Sequence, residues 1–269
     1  MPKVKVNGIN IYYEIRGAGE PLVFIMGGSD RTDSWGPQIQ VFSKDYRLLV
    51  FDNRGGGRSD APDVAYSIET MARDVAGLLD AFGIDKAHIR GVSAGGLTAQ
   101  LLALNYPEKV ISIVLQGTTC GGPHAPFDEE ALNPFLNKEL SPEERADKLI
   151  WLTITDDFAR ANPSIVQQIK SSLMATNTFT PGKLQQIEAF ASADTYERLP
   201  EIKAPTLVLG GEADRVTPPE YSRILASRIP NAELVVFPNT GHMFLEAGQE
   251  RNQVILDFLK RNSISKKGG

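Results

Sequence analysis

Hydrophobic and polar positions alternate in a regular order along the N-terminal part of the chain. Two short runs, residues 4–6 and 9–15, predict strands, with Asn7 and Gly8 as the hairpin turn between them. The continuous apolar run at 21–26 is typical of a strand that is buried on both faces. These strands favour a sheet that lies in the interior of the protein.

Segments with helical spacing lie between the strand-like runs. Ser67 is a suitable N-cap for a helix that extends to Phe82, and Gly83 follows it as a stop signal. The other predicted elements of this part are a helix at 35–42, a strand at 46–51, a strand at 87–90, a helix at 96–104 and a strand at 109–115. Alternation of this kind predicts βαβ units and a parallel sheet.

The alternation stops between residues 121 and 200, where no convincing strand occurs. The helical segments there are 128–136, 142–153, 163–175 and 181–193. The earlier order then returns, with strands at 204–209 and 232–237 and helices at 219–229 and 249–261. An all-helical interruption of this pattern predicts a cap over the carboxyl edge of the sheet. We expect an α/β core of residues 1–120 and 201–269, with a helical cap at 121–200.

Composition limits the partners and the location of the protein. The chain has 269 residues, of which 42% are hydrophobic, enough for a sizeable core. Its formal net charge of −5 argues against nucleic acid or anionic membranes as partners. The N-terminus lacks the apolar segment of a signal peptide, and no run approaches the roughly 18 apolar residues of a membrane span. With Cys120 as the only cysteine, we expect a soluble, cytoplasmic protein, and the sequence leaves its oligomeric state open.

The segment 91–95 carries the main chemical signal of the chain. It has the pattern G-x-S-x-G and lies between a predicted strand and a predicted helix. A strand that turns sharply into a helix on this pattern is a nucleophile elbow, which exposes a strained serine at the top of a sheet. Gly91 and Gly95 leave room for the turn. We therefore predict that Ser93 is a nucleophile; the alternative interpretation is an ordinary glycine-rich turn.

A serine hydroxyl needs a base within hydrogen-bond reach and an acid that orients the base. His242 follows the last predicted strand, so its loop is expected at the carboxyl edge of the sheet, beside the elbow. Asp214 follows the strand at 204–209 and is the preferred acid, with Glu212 as the second choice. We predict a catalytic group of Ser93, Asp214 and His242.

An oxyanion hole needs two hydrogen-bond donors at the position where negative charge develops. One predicted donor is the backbone N–H of Ala94, directly after the nucleophile. The other is the backbone N–H of Gly28, in the loop that follows the strand at 21–26.

The remaining histidines and the cysteine have plainer interpretations. His88 lies within the elbow strand and is expected to be structural, and His124 is expected to be exposed rather than in contact with substrate. Cys120 has no evident base and is expected to be buried. Three scattered histidines and one cysteine give no metal-ligand spacing, and no dinucleotide or phosphate-loop pattern is present. We predict no metal and no cofactor.

These features resemble the α/β-hydrolase superfamily over essentially the whole chain. The order Ser93, Asp214, His242 is the order of that family, and residues 52–59 match its D-x-R-G-x-G-x-S loop. The resemblance implies an α/β fold with a mostly parallel eight-stranded sheet flanked by helices and an all-helical cap inserted late in the sheet. Met26 stands where many members have a histidine, which removes one buried hydrogen-bonding side chain from the support of the oxyanion hole.

Within the superfamily, the chain is most similar to small capped carboxylesterases and 3-oxoadipate enol-lactonases, on segments 34–38 and 91–96. This resemblance implies a serine hydrolase that cleaves a small, fairly apolar carboxylic ester or lactone through an acyl-enzyme. The alternatives are a C–C bond hydrolase, a cofactor-free haloperoxidase or perhydrolase on the same residues, and a small-molecule receptor of the same fold. The side chains expected to line the substrate pocket are Met26, Trp151, Phe158 and Met243.

Overall fold

A sheet of eight strands forms the centre of the computed structural model, which describes residues 1–28, 31–176 and 180–264. The strands are β1 (Lys3–Val6), β2 (Ile9–Arg16), β3 (Glu20–Ile25), β4 (Tyr46–Phe51), β5 (Ala87–Val92), β6 (Val110–Gln116), β7 (Thr206–Gly211) and β8 (Ala232–Phe237). They lie in the order β1-β2-β4-β3-β5-β6-β7-β8. The pairs β1–β2 and β2–β4 are antiparallel, and all the others are parallel. The predicted sheet is confirmed.

Helices cover both faces of this sheet. They are α1 (Pro37–Phe42), α2 (Ile68–Ala81), α3 (Ala94–Asn105), α4 (Glu129–Leu136), α5 (Pro142–Thr153), α6 (Asp156–Ala161), α7 (Pro163–Thr176), α8 (Pro181–Ala191), α9 (Pro219–Arg228) and α10 (Gly248–Arg261). Residues of α2, α3 and α9 share one buried apolar cluster with the sheet, and residues of α1 and α10 share a second cluster. Over the described residues, none of these helices is both long and apolar enough to cross a bilayer.

Local signals in the sequence account for several boundaries. Asn7 and Gly8 both have positive φ, 48° and 84°, as the tight turn between β1 and β2 requires. The Ser67 hydroxyl accepts a hydrogen bond from Thr70 N at 3.1 Å, and this caps α2 at the predicted residue.

One predicted helix, at 35–42, is wrong as a continuous element. The chain instead forms a short 3₁₀ helix, Thr32–Trp35, and then α1. Gly36 separates the two with φ of 48° and ψ of −129°, a conformation that no helix contains. The helical spacing of the apolar positions continues across this break, so the pattern alone does not reveal it.

Five helices, α4 to α8, lie between β6 and β7, and we call residues 121–200 the helical insertion. Four of them lie where the sequence predicts helices, whereas α6 was not predicted. Residues 177–179 of this range are outside the part of the chain that the structure describes.

The two ends of the helical insertion lie side by side. Thr195 N donates to Cys120 O, and Gly122 N donates to Ala193 O, each at 2.9 Å. Gln100, fully buried on α3, donates to the carbonyl oxygen of Thr119 at 2.9 Å and accepts from Thr195 Oγ1 at 2.6 Å. One amide side chain of α3 therefore bonds to the chain just before the insertion and to Thr195 near its end.

Candidate active site

Ser93 lies between the end of β5 and the start of α3. Its φ of 53° and ψ of −128° are strained for a residue with a side chain. The turn depends on close approach of backbone atoms: a Cβ at Gly95 would lie 2.3 Å from the carbonyl oxygen of Ile25, and one at Gly91 would lie 2.3 Å from that of Gly95. This is the geometry that the G-x-S-x-G pattern predicts for a nucleophile elbow.

Neighbouring strands hold the backbone of Ser93 in this conformation. Its N–H donates to the carbonyl oxygen of Gln116 at 3.0 Å, and Thr118 Oγ1 donates to its carbonyl oxygen at 2.6 Å. Gly27, after β3, lies against the serine, because a Cβ there would come within 2.9 Å of Ser93 Cβ. The ends of β3, β5 and β6 thus meet at Ser93.

His242 and Asp214 form a hydrogen-bonded pair at the same edge of the sheet. His242 Nδ1 lies 2.8 Å from Asp214 Oδ2. The buried Asp214 carboxylate also accepts from Val216 N at 2.8 Å, from Thr217 N at 2.9 Å and from Thr217 Oγ1 at 2.9 Å. An ionised carboxylate in this setting keeps the imidazole proton on Nδ1 and leaves Nε2 as an acceptor.

The second-choice acid lies elsewhere. Glu212 is exposed, and its carboxylate accepts from Asn239 N at 3.2 Å. The structure brings Asp214, rather than Glu212, to His242, because the chain turns back after β7 before it reaches Asp214.

The histidine–aspartate pair lies beside the elbow. A Cβ on Gly117 would lie 3.4 Å from both Asp214 Oδ2 and His242 Nδ1, and Gly117 directly follows Gln116, which binds the backbone of Ser93. No hydrogen bond joins Ser93 Oγ to His242, although both residues are described. Catalytic hydrogen bonds are often long in ligand-free enzymes and shorten when substrate binds.

The two predicted oxyanion-hole donors belong to residues next to the elbow in the chain or in space: Ala94 follows Ser93, and Gly28 follows Gly27, which lies against Ser93. Ala94 is the first residue of α3, so its N–H has no acceptor within the helix. Gly28 follows Gly27, and the ring of Phe190 from α8 lies 3.6 Å from the position that a Cβ on Gly28 would occupy. A side chain of the helical insertion therefore covers the loop that carries one predicted donor, a contact that the sequence analysis missed.

The four predicted pocket side chains lie in different surroundings. Met26 is buried in the apolar cluster of α1 and α10, and Met243 is 39% exposed. Trp151 is 45% exposed, and the Arg215 guanidinium lies 4.7 Å from the centre of its ring. Phe158 borders a cavity of about 390 Å³ whose lining, over the described residues, does not include Ser93. Of these four residues, Met26 has its backbone at the elbow, because a Cβ on Gly95 would lie 2.6 Å from the carbonyl oxygen of Met26.

The loop that carries His242 is tied to the helical insertion through Glu246. One carboxylate oxygen accepts from Thr155 N at 3.2 Å and from Thr155 Oγ1 at 2.8 Å, and the other accepts from Gly241 N at 3.3 Å. Met243 N also donates to Thr153 O at 3.0 Å. The junction between α5 and α6 is thus bound to the backbone on both sides of His242.

The other titratable candidates lie in structural positions. His88 is fully buried, with Nδ1 2.7 Å from Ser112 Oγ and Nε2 3.1 Å from Glu20, and burial lowers the pKa of its imidazole. His124 is exposed and stacks on Tyr196, with 3.6 Å between the ring centres. Burial raises the pKa of the Cys120 thiol to about 11. The described residues contain no cluster of three metal-ligating side chains.

Comparison with known proteins places the chain among enzymes. Residues 20–249 match the family model described as alpha/beta hydrolase fold. A 2-hydroxy-6-oxononadienedioate/2-hydroxy-6-oxononatrienedioate hydrolase of Paraburkholderia phymatum is 32% identical, over 93% of this chain and 91% of its own length. A solved N-acyl homoserine lactone degrading enzyme is 33% identical with a TM-score of 0.82, over 96% of this chain and 100% of its own. The enol-lactonase of Burkholderia xenovorans is 28% identical with a TM-score of 0.84, over 96% of this chain and 100% of its own.

Proposed function

The chain belongs to the α/β-hydrolase family, and from that premise we propose that it is a serine hydrolase acting on a small, fairly apolar carboxylic ester or lactone. The observation that carries the proposal is the 2.8 Å pair of His242 and Asp214 beside a strained Ser93. An elbow serine next to an oriented imidazole is the arrangement that acyl transfer needs.

In the proposed mechanism, Ser93 Oγ attacks the carbonyl carbon while His242 Nε2 takes its proton. The oxygen of the tetrahedral intermediate receives hydrogen bonds from Ala94 N and Gly28 N. His242 then gives its proton to the leaving alcohol, and the acyl group stays on Ser93 as an ester. A water molecule, deprotonated by His242, releases the acid and restores Ser93. Asp214 holds the imidazole and stabilises its charged form.

The substrate class rests on Phe190 and on the similar proteins. The aromatic ring beside Gly28 gives the oxyanion side of the site an apolar wall, which suits a hydrocarbon chain next to the reacting carbonyl. Two similar solved proteins carry names that refer to lactones. Hydrolysis of an ester and of a lactone follows the same steps, since a lactone is an internal ester.

A second candidate is hydrolysis of a C–C bond in a dienoic acid. It is favoured by the 32% identity with the Paraburkholderia phymatum hydrolase, over most of both chains. The same serine, histidine and aspartate would serve, but the leaving group would be a carbanion rather than an alcohol.

We further propose that residues 1–120 and 201–269 act as the catalytic core and residues 121–200 as a cap that selects substrate. The location we propose is the cytoplasm, because the single, buried cysteine suits a reducing compartment.

A panel of substrates tests these proposals directly. We expect p-nitrophenyl butyrate and an N-acyl homoserine lactone to have a higher kcat/KM than a 2-hydroxy-6-oxodienoic acid. The Ser93→Ala variant is the control, and it should be inactive on each. The highest kcat/KM on the dienoic acid would replace the proposal with the second candidate. Binding without turnover of any compound would favour a receptor of the same fold.

A further inference from the structure

Arg90 is a fully buried arginine that the proposed mechanism does not use. It lies on β5, three residues before Ser93, and its side chain is 0% exposed. Its guanidinium carbon lies 4.8 Å from the ring centre of Phe24, 5.2 Å from that of Trp35 and 5.5 Å from that of Phe42. A charged group is thus enclosed by aromatic rings in the interior of the protein.

Most of the hydrogen-bond donors in this cluster have no acceptor. Arg90 Nη2 donates to Gln116 Oε1 at 2.6 Å. Arg90 Nε and Nη1 and the indole nitrogen of Trp35 are buried and have no hydrogen-bond partner in the described part of the chain. Unsatisfied buried donors are costly, and an unpaired buried charge costs more.

Two other buried arginines of this chain donate to carboxylate or carbonyl oxygens. Arg54 makes a two-point ion pair with Asp74, at 2.5 and 2.7 Å. Arg145 donates to the carbonyl oxygens of Pro134, Asn137 and Leu140. Among the described residues, neither a carboxylate nor a set of carbonyl groups accepts hydrogen bonds from the Arg90 guanidinium. The aromatic rings supply cation–π attraction but accept no N–H in the plane of the guanidinium.

A second buried cation lies on the same side of the sheet. Arg251, on α10, is 5% exposed and donates through Nη1 to the carbonyl oxygen of Phe244 at 3.4 Å. Burial lowers the pKa of Arg90, and the charge of Arg251 lowers it further. Over the described residues no carboxylate forms an ion pair with either guanidinium. Among the described residues, this neighbourhood therefore has two positive charges and no carboxylate paired with either.

We propose that Arg90 and the indole N–H of Trp35 form a binding site for one small monovalent anion of the kind of chloride, beneath the nucleophile elbow. Such an ion accepts several N–H bonds at once and balances the charge of Arg90. A larger or multiply charged anion would need more donors than the three unpaired nitrogen atoms provide. The site is separate from the substrate site, and the proposal does not depend on the reaction that Ser93 performs.

The anion would also support the elbow through Gln116. The side chain of Gln116 accepts from Arg90, while its carbonyl oxygen accepts from Ser93 N at 3.0 Å. An anion that fixes the guanidinium fixes this glutamine, and the glutamine backbone holds the serine backbone.

Thermal unfolding of the full chain in sodium bromide and in sodium gluconate, at equal ionic strength, tests the site. Bromide is the probe, and gluconate is too large to enter a buried site. Salts also change stability in a general way, so the comparison is made between variants. Arg90→Met removes the site, whereas Arg145→Met removes a buried arginine whose partners are backbone carbonyl groups.

Relative to gluconate, we expect bromide to raise the unfolding midpoint of the wild type and of Arg145→Met, and the rise should saturate as the bromide concentration increases. Arg90→Met should lack this saturable rise. The expected rise is about 3 °C when bromide is about tenfold above its dissociation constant. The same bromide response in all three proteins would overturn the proposal. If Arg90→Met does not fold, wild-type crystals grown in bromide decide the question. An anomalous peak beside Arg90 Nε or Nη1 supports the site, and a water molecule alone at that position overturns it.

Discussion

At the carboxyl edge of the sheet, groups that are distant in the sequence hold Ser93 and His242, whereas nearby residues in the sequence cap two helices of the insertion. The backbone N–H of Ser93 donates to Gln116 at the end of β6, and His242 bonds to Asp214 in the loop after β7. In the insertion, Ser141 forms a capping box with Glu144 at the start of α5. The hydroxyl of Thr155 likewise caps α6. The placement of Ser93 and His242 therefore depends on long-range contacts, and the starts of these two helices depend on local sequence.

The two regions also differ in how much apolar surface they bury. The sheet lies between two large apolar clusters, one of which also includes Phe190 and Leu199 of the insertion, while a separate small cluster consists of Ala131, Leu152 and Val216. Large side chains stay exposed on the insertion: Leu136, Trp151, Ile165 and Met174. We therefore expect substitutions at the edge to reduce the reaction rate more than substitutions in the insertion.

The largest expected effect comes from Ser93 at the edge. Ser93→Ala should lower kcat for ester hydrolysis by about 10⁶-fold, because no other group can form the acyl-enzyme. The unfolding midpoint should stay within a few degrees of the wild type, since the hydroxyl bonds to no described residue. Steady-state kinetics with p-nitrophenyl butyrate measure this loss. Turnover near the wild-type rate would show that Ser93 is not the nucleophile.

The next effect distinguishes the two candidate acids. Asp214→Asn should lower kcat by about 10⁴-fold, because an amide in place of the carboxylate favours the wrong imidazole tautomer. Glu212→Gln is the matched control, and it should change kcat less than about threefold, because Glu212 is exposed and bonds only to backbone. Rates of the two variants on one substrate give the comparison. A larger loss in Glu212→Gln would assign the role to Glu212.

A smaller effect is expected where the two regions meet. Glu246→Ala should lower kcat/KM by about tenfold, because Glu246 joins Thr155 of the insertion to the backbone beside His242. It should also lower the unfolding midpoint by about 3 °C. Glu250→Ala is the control. Glu250 is exposed on α10, and it borders the same cavity of about 390 Å³ as Glu246. Equal kinetics in the two variants would mean that the insertion and the edge act independently.

The smallest effect concerns substrate choice alone. Phe190→Ala should change the relative kcat/KM of butyrate and octanoate esters by about tenfold, which corresponds to lost contact with about one methylene at about 1–3 kcal/mol. The same change at Trp151, which is 45% exposed, should leave the ratio unchanged. The pH dependence of kcat should be the same in both variants. A shifted pH profile with an unchanged ester ratio would contradict the division of labour between edge and insertion.

Short-range patterns were sufficient to predict most of the sheet and the order of the candidate catalytic residues. The G-x-S-x-G segment, the Asn7–Gly8 turn and the Ser67 cap each act within a few residues, so their geometry can be inferred from the local sequence. The choice of Asp214 over Glu212 also followed from position after a strand. In the structure, Asp214 is the one of the two that contacts His242.

Features that depend on distant segments were not predictable in this way. Phe190 reaches Gly28 across more than half of the chain, and nothing near either residue in the sequence indicates it. Trp151 and Phe158 are large apolar side chains of the insertion, but size and hydropathy do not indicate which face of a helix turns to the site. The helix α6 had a local signal, Thr155 before two aspartates, which the apolar pattern obscured.

The paired ends of the insertion have a consequence for how such a protein can vary. Gly121 forms an isolated bridge with Asp194, and hydrogen bonds between backbones join the chain as it leaves β6 to the chain as it returns toward β7. A segment of another length or fold could be exchanged here without extra loop-closure entropy, provided that its own ends lie equally close. If the insertion selects the substrate, as we propose, recombination at this junction would change specificity and leave the residues of the sheet edge in place.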